Sequence, residues 1–211
     1  MTEDPPAHAH GHHDHPAGMH GRAWSRAEAI AALESPDRTA SQDPEALWDA
    51  AGLRPGETVV DVGAGTGYFA FPAARRVGAA GRVYAVDLSD ELADLLQERA
   101  RARGVPQLTA VQSALDRIPL PDGVADVVLL ANVLHDIPVS TLQEAVRLLR
   151  PAGRFVNIDW KKRDTPGGPP IAVRLTEEEA RDRLARVGLA ETRRWEFGPY
   201  HYGLLLRRAT P

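Results

Sequence analysis

The segment best suited to chemistry is Val59-Val60-Asp61-Val62-Gly63-Ala64-Gly65-Thr66-Gly67. A short β-branched run leads into alternating glycines, and a helical stretch follows. Such a turn places bare main chain at the carboxyl end of a strand, beside a helix N-terminus, where a ligand can approach the backbone closely. The third glycine comes one residue too early for a dinucleotide fingerprint, and Tyr68 occupies the place where that glycine belongs. Asp61, two residues ahead of the first glycine, repels a pyrophosphate and suits a ligand with an amino group. The pattern leans away from a nicotinamide dinucleotide and toward a nucleoside that carries an amino acid. Twenty residues past Gly67 a second apolar run ends in Asp87. A carboxylate there accepts two hydrogen bonds from ribose hydroxyls; the plainer reading makes Asp87 a helix-entry residue ahead of Ser89.

Three further clusters have the residue types to act on a substrate. His135 lies in Asn132-Val133-Leu134-His135-Asp136, after a wholly apolar run. Asp159-Trp160-Lys161-Lys162 follows the next strand-like run, and Tyr200-His201-Tyr202 lies near the last turn. His135 or His201 can serve as a base toward a weakly acidic nucleophile. Lys161 and Lys162 are the only lysines among 25 basic residues, which suggests that a compact ammonium is wanted. The Tyr-His-Tyr group fits either a site or simple packing against helix ends.

These residues need a frame. Apolar runs at 58–62, 82–86, 108–111, 125–130 and 153–158 alternate with helical stretches, and two last strands, about 190–197 and 202–208, are joined through Gly198-Pro199. Alternation of this kind gives an α/β fold: a parallel sheet covered on both faces, with right-handed crossovers. The short last connection makes the final strand antiparallel to its neighbour. All the parallel strands then point their carboxyl ends at one crevice, where the clusters around His135 and Lys161 belong. Ahead of the sheet, Ser25 and Glu28 form a capping box, and Asp43-Pro44 opens a second helix that stops at Gly52. These helices and the Pro- and Gly-rich loop 161–175 are the natural covers of the crevice. The chain divides into residues 1–22, a helical cap over 23–52, and the α/β domain over 53–211.

Residues 1–22 hold six of the eight histidines, His8, His10, His12, His13, His15 and His20, among Pro, Gly and Ala. Nothing there can form a core, so this stretch reads as disordered, with affinity for Zn or Ni that is adventitious or functional. The 211 residues carry 25 Lys and Arg against 29 Asp and Glu, a net charge of −4. That argues against a protein whose work is gripping nucleic acid or an anionic membrane surface. No apolar run approaches the roughly 20 residues of a membrane span, and no signal-peptide core is evident, so the expected address is cytoplasmic. The absence of cysteine removes disulfides, thiolate metal sites and cysteine nucleophiles. The expected partner is a small molecule, and oligomeric state is left open.

Taken with Asp61 and Asp87, the glycine turn resembles that of class I S-adenosylmethionine-dependent methyltransferases. The chain is similar to the small bacterial and archaeal enzymes grouped with the ubiquinone/menaquinone-biosynthesis methyltransferases. The resemblance covers about 53–208, with supporting motifs at 120–126, Asn132–Asp136 and 149–159. It implies a Rossmann-like three-layer sandwich around a seven-stranded, mostly parallel sheet with its last strand antiparallel. It implies that S-adenosylmethionine binds and S-adenosylhomocysteine leaves. By position, Asp61, Gly63, Gly65 and Gly67 would hold the methionine part, Asp87 the ribose, and Leu88 would flank the adenine. Ser113-Ala114 stands where the family usually has Asp-Ala, so a hydroxyl would replace the carboxylate that meets the adenine amino group. Asn132 matches a position near the sulfonium. Two rival readings remain at this level: a non-catalytic cofactor-binding or metal-handling protein, and a dinucleotide-dependent oxidoreductase, which lacks a Tyr-x-x-x-Lys pair here.

Overall fold

In the computed structural model, which describes residues 23–35 and 38–209, seven strands form one sheet. They are β1 (Thr58–Val62), β2 (Arg82–Asp87), β3 (Leu108–Gln112), β4 (Ala125–Ala131), β5 (Leu149–Trp160), β6 (Leu189–Phe197) and β7 (His201–Arg208). The order is β3-β2-β1-β4-β5-β7-β6. β1 to β5 are parallel, and β7 runs antiparallel between β5 and β6. The order reverses between β1 and β4, and open α/β sheets form their ligand crevice at such a switch point. Val127 to Leu130 of β4 are fully buried on both faces, which explains the unbroken apolar run.

The helices divide between the two faces. α3 (Pro44–Ala51), α4 (Ala70–Val77) and α5 (Asp90–Ala102) cover one, burying Trp48, Phe71 and Leu96 against Val59, Val83 and Leu129. α6 (Val139–Leu148) and α7 (Glu177–Ala185) cover the other, burying Leu142 and Leu184 with Val128 and Phe155. Each such side chain contributes about 1.5–3 kcal/mol on burial. Local signals set the helix ends. Ser25 and Thr176 make reciprocal capping boxes with Glu28 and Glu179. Asp43 caps α3 ahead of Pro44, and Gly52 ends it in the left-handed conformation.

The N-terminal helices belong to the sheet's own core. Leu47 and Trp48 sit in the same apolar cluster as β1, and the Trp48 indole donates to the Phe69 carbonyl at 3.1 Å, just before α4. α1 (Arg26–Leu33) packs on α5 through Ala29, Leu92 and Leu95. A further short helix, α2 (Arg38–Ser41), was not expected from the sequence; four residues are too few to show a periodicity. β5 begins earlier and ends later than its apolar run, since its first residues cross Pro151 and its last carry Asp159 and Trp160.

The loop 161–175 is tied down by one side chain. Arg174 is buried and donates to the carbonyls of Lys161, Arg163, Gly167 and Pro169 and to the Thr165 hydroxyl. Five hydrogen bonds from one side chain give this Pro- and Gly-rich loop a defined conformation. The β6–β7 turn is equally fitted. Gly198 has φ +60°, and a Cβ there would stand 2.1 Å from the Ser41 carbonyl oxygen. Gly198→Ala should therefore cost about 1–3 kcal/mol in backbone strain and displacement. For a chain this long that lowers Tm by roughly 2–4 °C per kcal/mol. An unchanged melting temperature would mean the contact with α2 is not held in solution.

Candidate functional site

The glycine turn after β1 is shaped by close approach. Gly63, Gly65 and Gly67 all have positive φ. A Cβ on Gly63 would meet Val133, one on Gly65 would meet Leu33 of α1, and one on Gly67 would meet Phe71 and Leu96, all within 3 Å. The turn is thus clamped between the segment after β4, the N-terminal helix and α5. Arg99 of α5 adds a hydrogen bond to the Thr66 carbonyl at 3.0 Å.

Two carboxylates stand at the strand ends beside this turn. Asp61 is 2% exposed, and its Oδ1 has no partner among the described residues. Burial, reinforced by the neighbouring Asp87 and opposed by Arg38, pushes its pKa up to about 7. Asp87 at the end of β2 accepts from the Gly65 amide at 2.8 Å on Oδ2 and from the Ser89 amide at 3.0 Å on Oδ1. Burial raises its pKa while these amides pull it back. Each Asp87 oxygen keeps a second lone pair, enough for a pair of vicinal hydroxyls. Leu88 is half-buried beside it. Ser113 receives the β2 end from the other side: its amide donates to the Asp87 carbonyl at 2.9 Å and its hydroxyl at 3.4 Å. The hydroxyl's lone pairs stay open to an amino group. Ala114 pairs with Arg117 in an isolated bridge.

Across the switch point lies a second set of groups. Asn132 follows β4 with φ 59°, the one non-glycine residue in the left-handed region among the described residues. Strain of this kind collects at ligand sites. Its Nδ2 donates to Gln42 Oε1 at 2.8 Å, and its buried Oδ1 has no partner among the described residues. Gln42 comes from the N-terminal segment, is 4% exposed, and places its Nε2 3.0 Å from His201 Nε2. An amide nitrogen only donates, so His201 accepts on Nε2 and carries its proton on Nδ1. Burial pulls the His201 pKa down to about 3, with Arg38, Arg174 and Lys161 adding to the fall and Asp159 opposing it. The ring is fully buried, 4.1 Å from the Trp160 ring. His201 is a neutral hydrogen-bonding group in the wall, so the packing reading describes it better than that of a base.

His135 has the opposite setting. Its Nδ1 lies 2.8 Å from Asp159 Oδ1, and its own amide donates to Asp159 Oδ2. Asp159 is fully buried at the end of β5. Burial lowers the His135 pKa, but the Asp159 charge and hydrogen bond outweigh it, and the net shift is upward. A carboxylate on Nδ1 leaves Nε2 as the basic nitrogen. The clusters after β4 and β5, separate in the sequence, thus meet as one pair. Lys161 is turned to Glu196 in an ion pair, and Lys162 binds Glu179 at 3.0 Å. The lysines brace β6 and α7 as much as they face the crevice. The histidine-rich stretch from His8 to His20 lies outside the described residues; among those described, no three His, Asp or Glu side chains are grouped to hold a metal. Nor is any described helix long and apolar enough to cross a membrane.

Sequence reasoning missed Gln42 and Arg38. Both precede the α/β alternation, and neither stands in a recognisable motif.

A glycine turn at the switch point of a seven-stranded sheet, with a buried carboxylate unpartnered among the described residues and an acid at the next strand end, defines a Rossmann-like α/β protein. Comparison with known proteins narrows that class. Residues 60–157 match the family model described as a methyltransferase domain. A solved S-adenosylmethionine-dependent methyltransferase from Aquifex aeolicus shares 31% identity and superposes with a TM-score of 0.82, covering 87% of this chain and 98% of that one. A ubiquinone/menaquinone biosynthesis C-methyltransferase from Ectopseudomonas mendocina is 33% identical over 136 residues, 60% of this chain and 51% of that protein. An uncharacterized 37.1 kDa protein of a Streptomyces fradiae transposon is 34% identical over 148 residues, 68% of this chain and 42% of that protein. The chain spans about half the length of the curated relatives it matches. It belongs to the class I S-adenosylmethionine-dependent methyltransferases.

Proposed function

We propose that this protein transfers a methyl group from S-adenosylmethionine to a small-molecule acceptor held over the carboxyl ends of β4 and β5, with His135 as the base. The observation that carries this is the His135–Asp159 pair, 2.8 Å apart at the carboxyl ends of the neighbouring strands β4 and β5. The residues fit the cofactor. Asp61 offers an acceptor that is unpartnered among the described residues to an ammonium, and Asp87 offers its remaining lone pairs to the ribose. Gly63, Gly65 and Gly67 give main chain to the methionine part, while Leu88, Ser113 and Ala114 border the adenine. Bound there, the cofactor supplies an activated sulfonium methyl and leaves as S-adenosylhomocysteine.

The protein's own task is to align the acceptor and exclude water. His135 takes the acceptor's proton on Nε2 while Asp159 holds the ring and stabilises the imidazolium that forms. Asn132 is held by Gln42, and its Oδ1, without a partner among the described residues, is left as an acceptor. Lys161, on the rim, favours an anionic acceptor.

The test has two stages. Calorimetry should show S-adenosylhomocysteine binding and no binding of NAD. A screen of metabolite extracts for transfer of labelled methyl should then identify the acceptor. A triple variant His135→Ala, Lys161→Ala, His201→Ala that still turns over at the parent rate would place the methyl acceptor elsewhere.

A further inference from the structure

Polar atoms are buried in the sheet behind the His135–Asp159 pair. Asn157 of β5 is fully buried, and neither its Nδ2 nor its Oδ1 has a partner among the described residues. Tyr202 of β7 is buried too, and its hydroxyl has no partner among them either. The sheet register places these groups together. Asp159 stands opposite Tyr202, and Asn157 stands opposite Leu204, two residues further along β7. Alternate residues of a strand share a face, so Asn157 and Asp159 lie on the same side as Tyr202 and Leu204, with Leu130 of β4 flanking Asn157. That side is the apolar layer under α6 and α7, to which Tyr202, Leu204 and Leu130 belong. The strands and helices around this layer all lie within the described residues.

Unpartnered polar atoms in an apolar layer are costly, and native folds leave few of them so. Buried water with about two to four polar partners is the usual answer. The groups here suit it. Asn157 offers both donor hydrogens and an acceptor, and the Tyr202 hydroxyl gives and accepts. Burial holds the Tyr202 pKa well above its ordinary value, with Asp159, Glu177 and Glu179 adding to the rise and Arg194 opposing it, so the hydroxyl keeps its proton. Asp159 has capacity to spare. Its Oδ1 accepts from His135 Nδ1 and from the Trp160 amide, both at 2.8 Å. Its Oδ2 accepts from the His135 amide at a long 3.3 Å and keeps a lone pair. Arg174 from the loop and Arg183 from α7 act on this carboxylate through charge while donating to main-chain carbonyls. We infer that Asn157 and Tyr202 hold buried water against Asp159 Oδ2, and that this network braces from behind the carboxylate on which His135 depends. Both are then positioning residues that act on His135 through Asp159. The consequence for the rate rests on the reading of His135 as the base; the network itself does not.

The sign of a stability change separates a wet spot from a dry one. In a dry layer, Tyr202→Phe and Asn157→Leu each remove an unsatisfied polar group and should raise Tm. With water bonded there, each removes hydrogen bonds and strands their partners, and Tm should fall by roughly 2–6 °C. The His135 ring supplies a readout that packing alone would not move. Donors on Asp159 Oδ2 temper its charge, so losing them in Tyr202→Phe strengthens its pull on the His135 proton. Burial and Arg174 lower the His135 pKa, Asp159 and Asp136 raise it, and the net shift is upward. By NMR the ring in Tyr202→Phe should titrate at still higher pH than in the unsubstituted protein. The unsubstituted full chain gives a check that needs no variant to fold: nuclear Overhauser contacts from long-lived water to the Asn157 side-chain amide protons. A higher Tm in both variants, a His135 titration that does not rise, or no water contact at Asn157 overturns the inference. A raised titration with water contacts, in a protein whose His135→Ala variant keeps the parent rate, would uphold the network and defeat the reading of His135 as the base.

Discussion

His135→Ala should lower kcat by about 10²–10⁴ while leaving the affinity for S-adenosylhomocysteine nearly unchanged, since losing a general base costs that much and the ring is not assigned to the cofactor. The pH dependence follows from the sign of the shift. The folded-state pKa of His135 is raised from 6.5 by Asp159, against the pull of burial. The base acts in its neutral form, so the rate should climb as pH rises through a value above 6.5. The same shift stabilises the fold below pH 6.5, and that contribution is lost as pH rises through the raised pKa. Asp159→Asn removes the charge that raises the pKa and leaves burial unopposed. The rising limb should then move to lower pH with a reduced plateau. Titration of the His135 ring proton by NMR checks the shift without any acceptor. A titration at or below 6.5 in the unsubstituted protein would show that the pair is not formed as described.

Asp87→Ala should lower the affinity for S-adenosylhomocysteine by roughly a hundredfold. Two hydrogen bonds from ribose hydroxyls to a charged acceptor contribute about 1.5 kcal/mol each at the low end, and 1.4 kcal/mol is tenfold. The substitution also removes the acceptor for the Gly65 amide, which is 2.8 Å from Oδ2, so the glycine turn loses a tether. Asp87→Asn keeps one acceptor oxygen and should fall between the two. Calorimetry measures the affinities, and thermal melting confirms that each variant is folded. Unchanged affinity in a folded Asp87→Ala protein would mean that the ribose lies elsewhere.

The elements were legible wherever the controlling physics is local. Thr58–Val62 is a strand with the bounds its β-branched run announces, because a strand buried on both faces must be apolar throughout. The capping boxes at Ser25 and Thr176 and the left-handed stop at Gly52 are decided within four residues of chain. The glycine turn and Asp87 were legible for a related reason. A strand, a turn and the next strand end are brought together by one βαβ unit, and its handedness leaves a single arrangement.

Tertiary structure alone decided the rest. Asp159 and His135 are 24 residues apart, on the ends of adjacent strands, and only the β4–β5 register makes them a pair. Lys161 and His201 share residue types and neighbourhood with His135 and Asp159. Their roles turned on partners no spacing can reveal: Glu196 for the lysine, and the Gln42 amide and Trp160 ring for the histidine. Gln42 and Arg38 are the extreme case. They lie in a stretch without periodicity or motif, and they matter because the N-terminal segment is laid across the switch point. That position is fixed by Trp48 under Phe69, by α1 on α5 and by Gly198 against Ser41, contacts spanning up to 157 residues of chain. The sequence by itself specified a methyltransferase-type α/β domain because its signals are local and periodic. Which side chains complete the site was decided by long-range packing, where burial and the choice of partner, not residue type, set the charge and tautomer of each group.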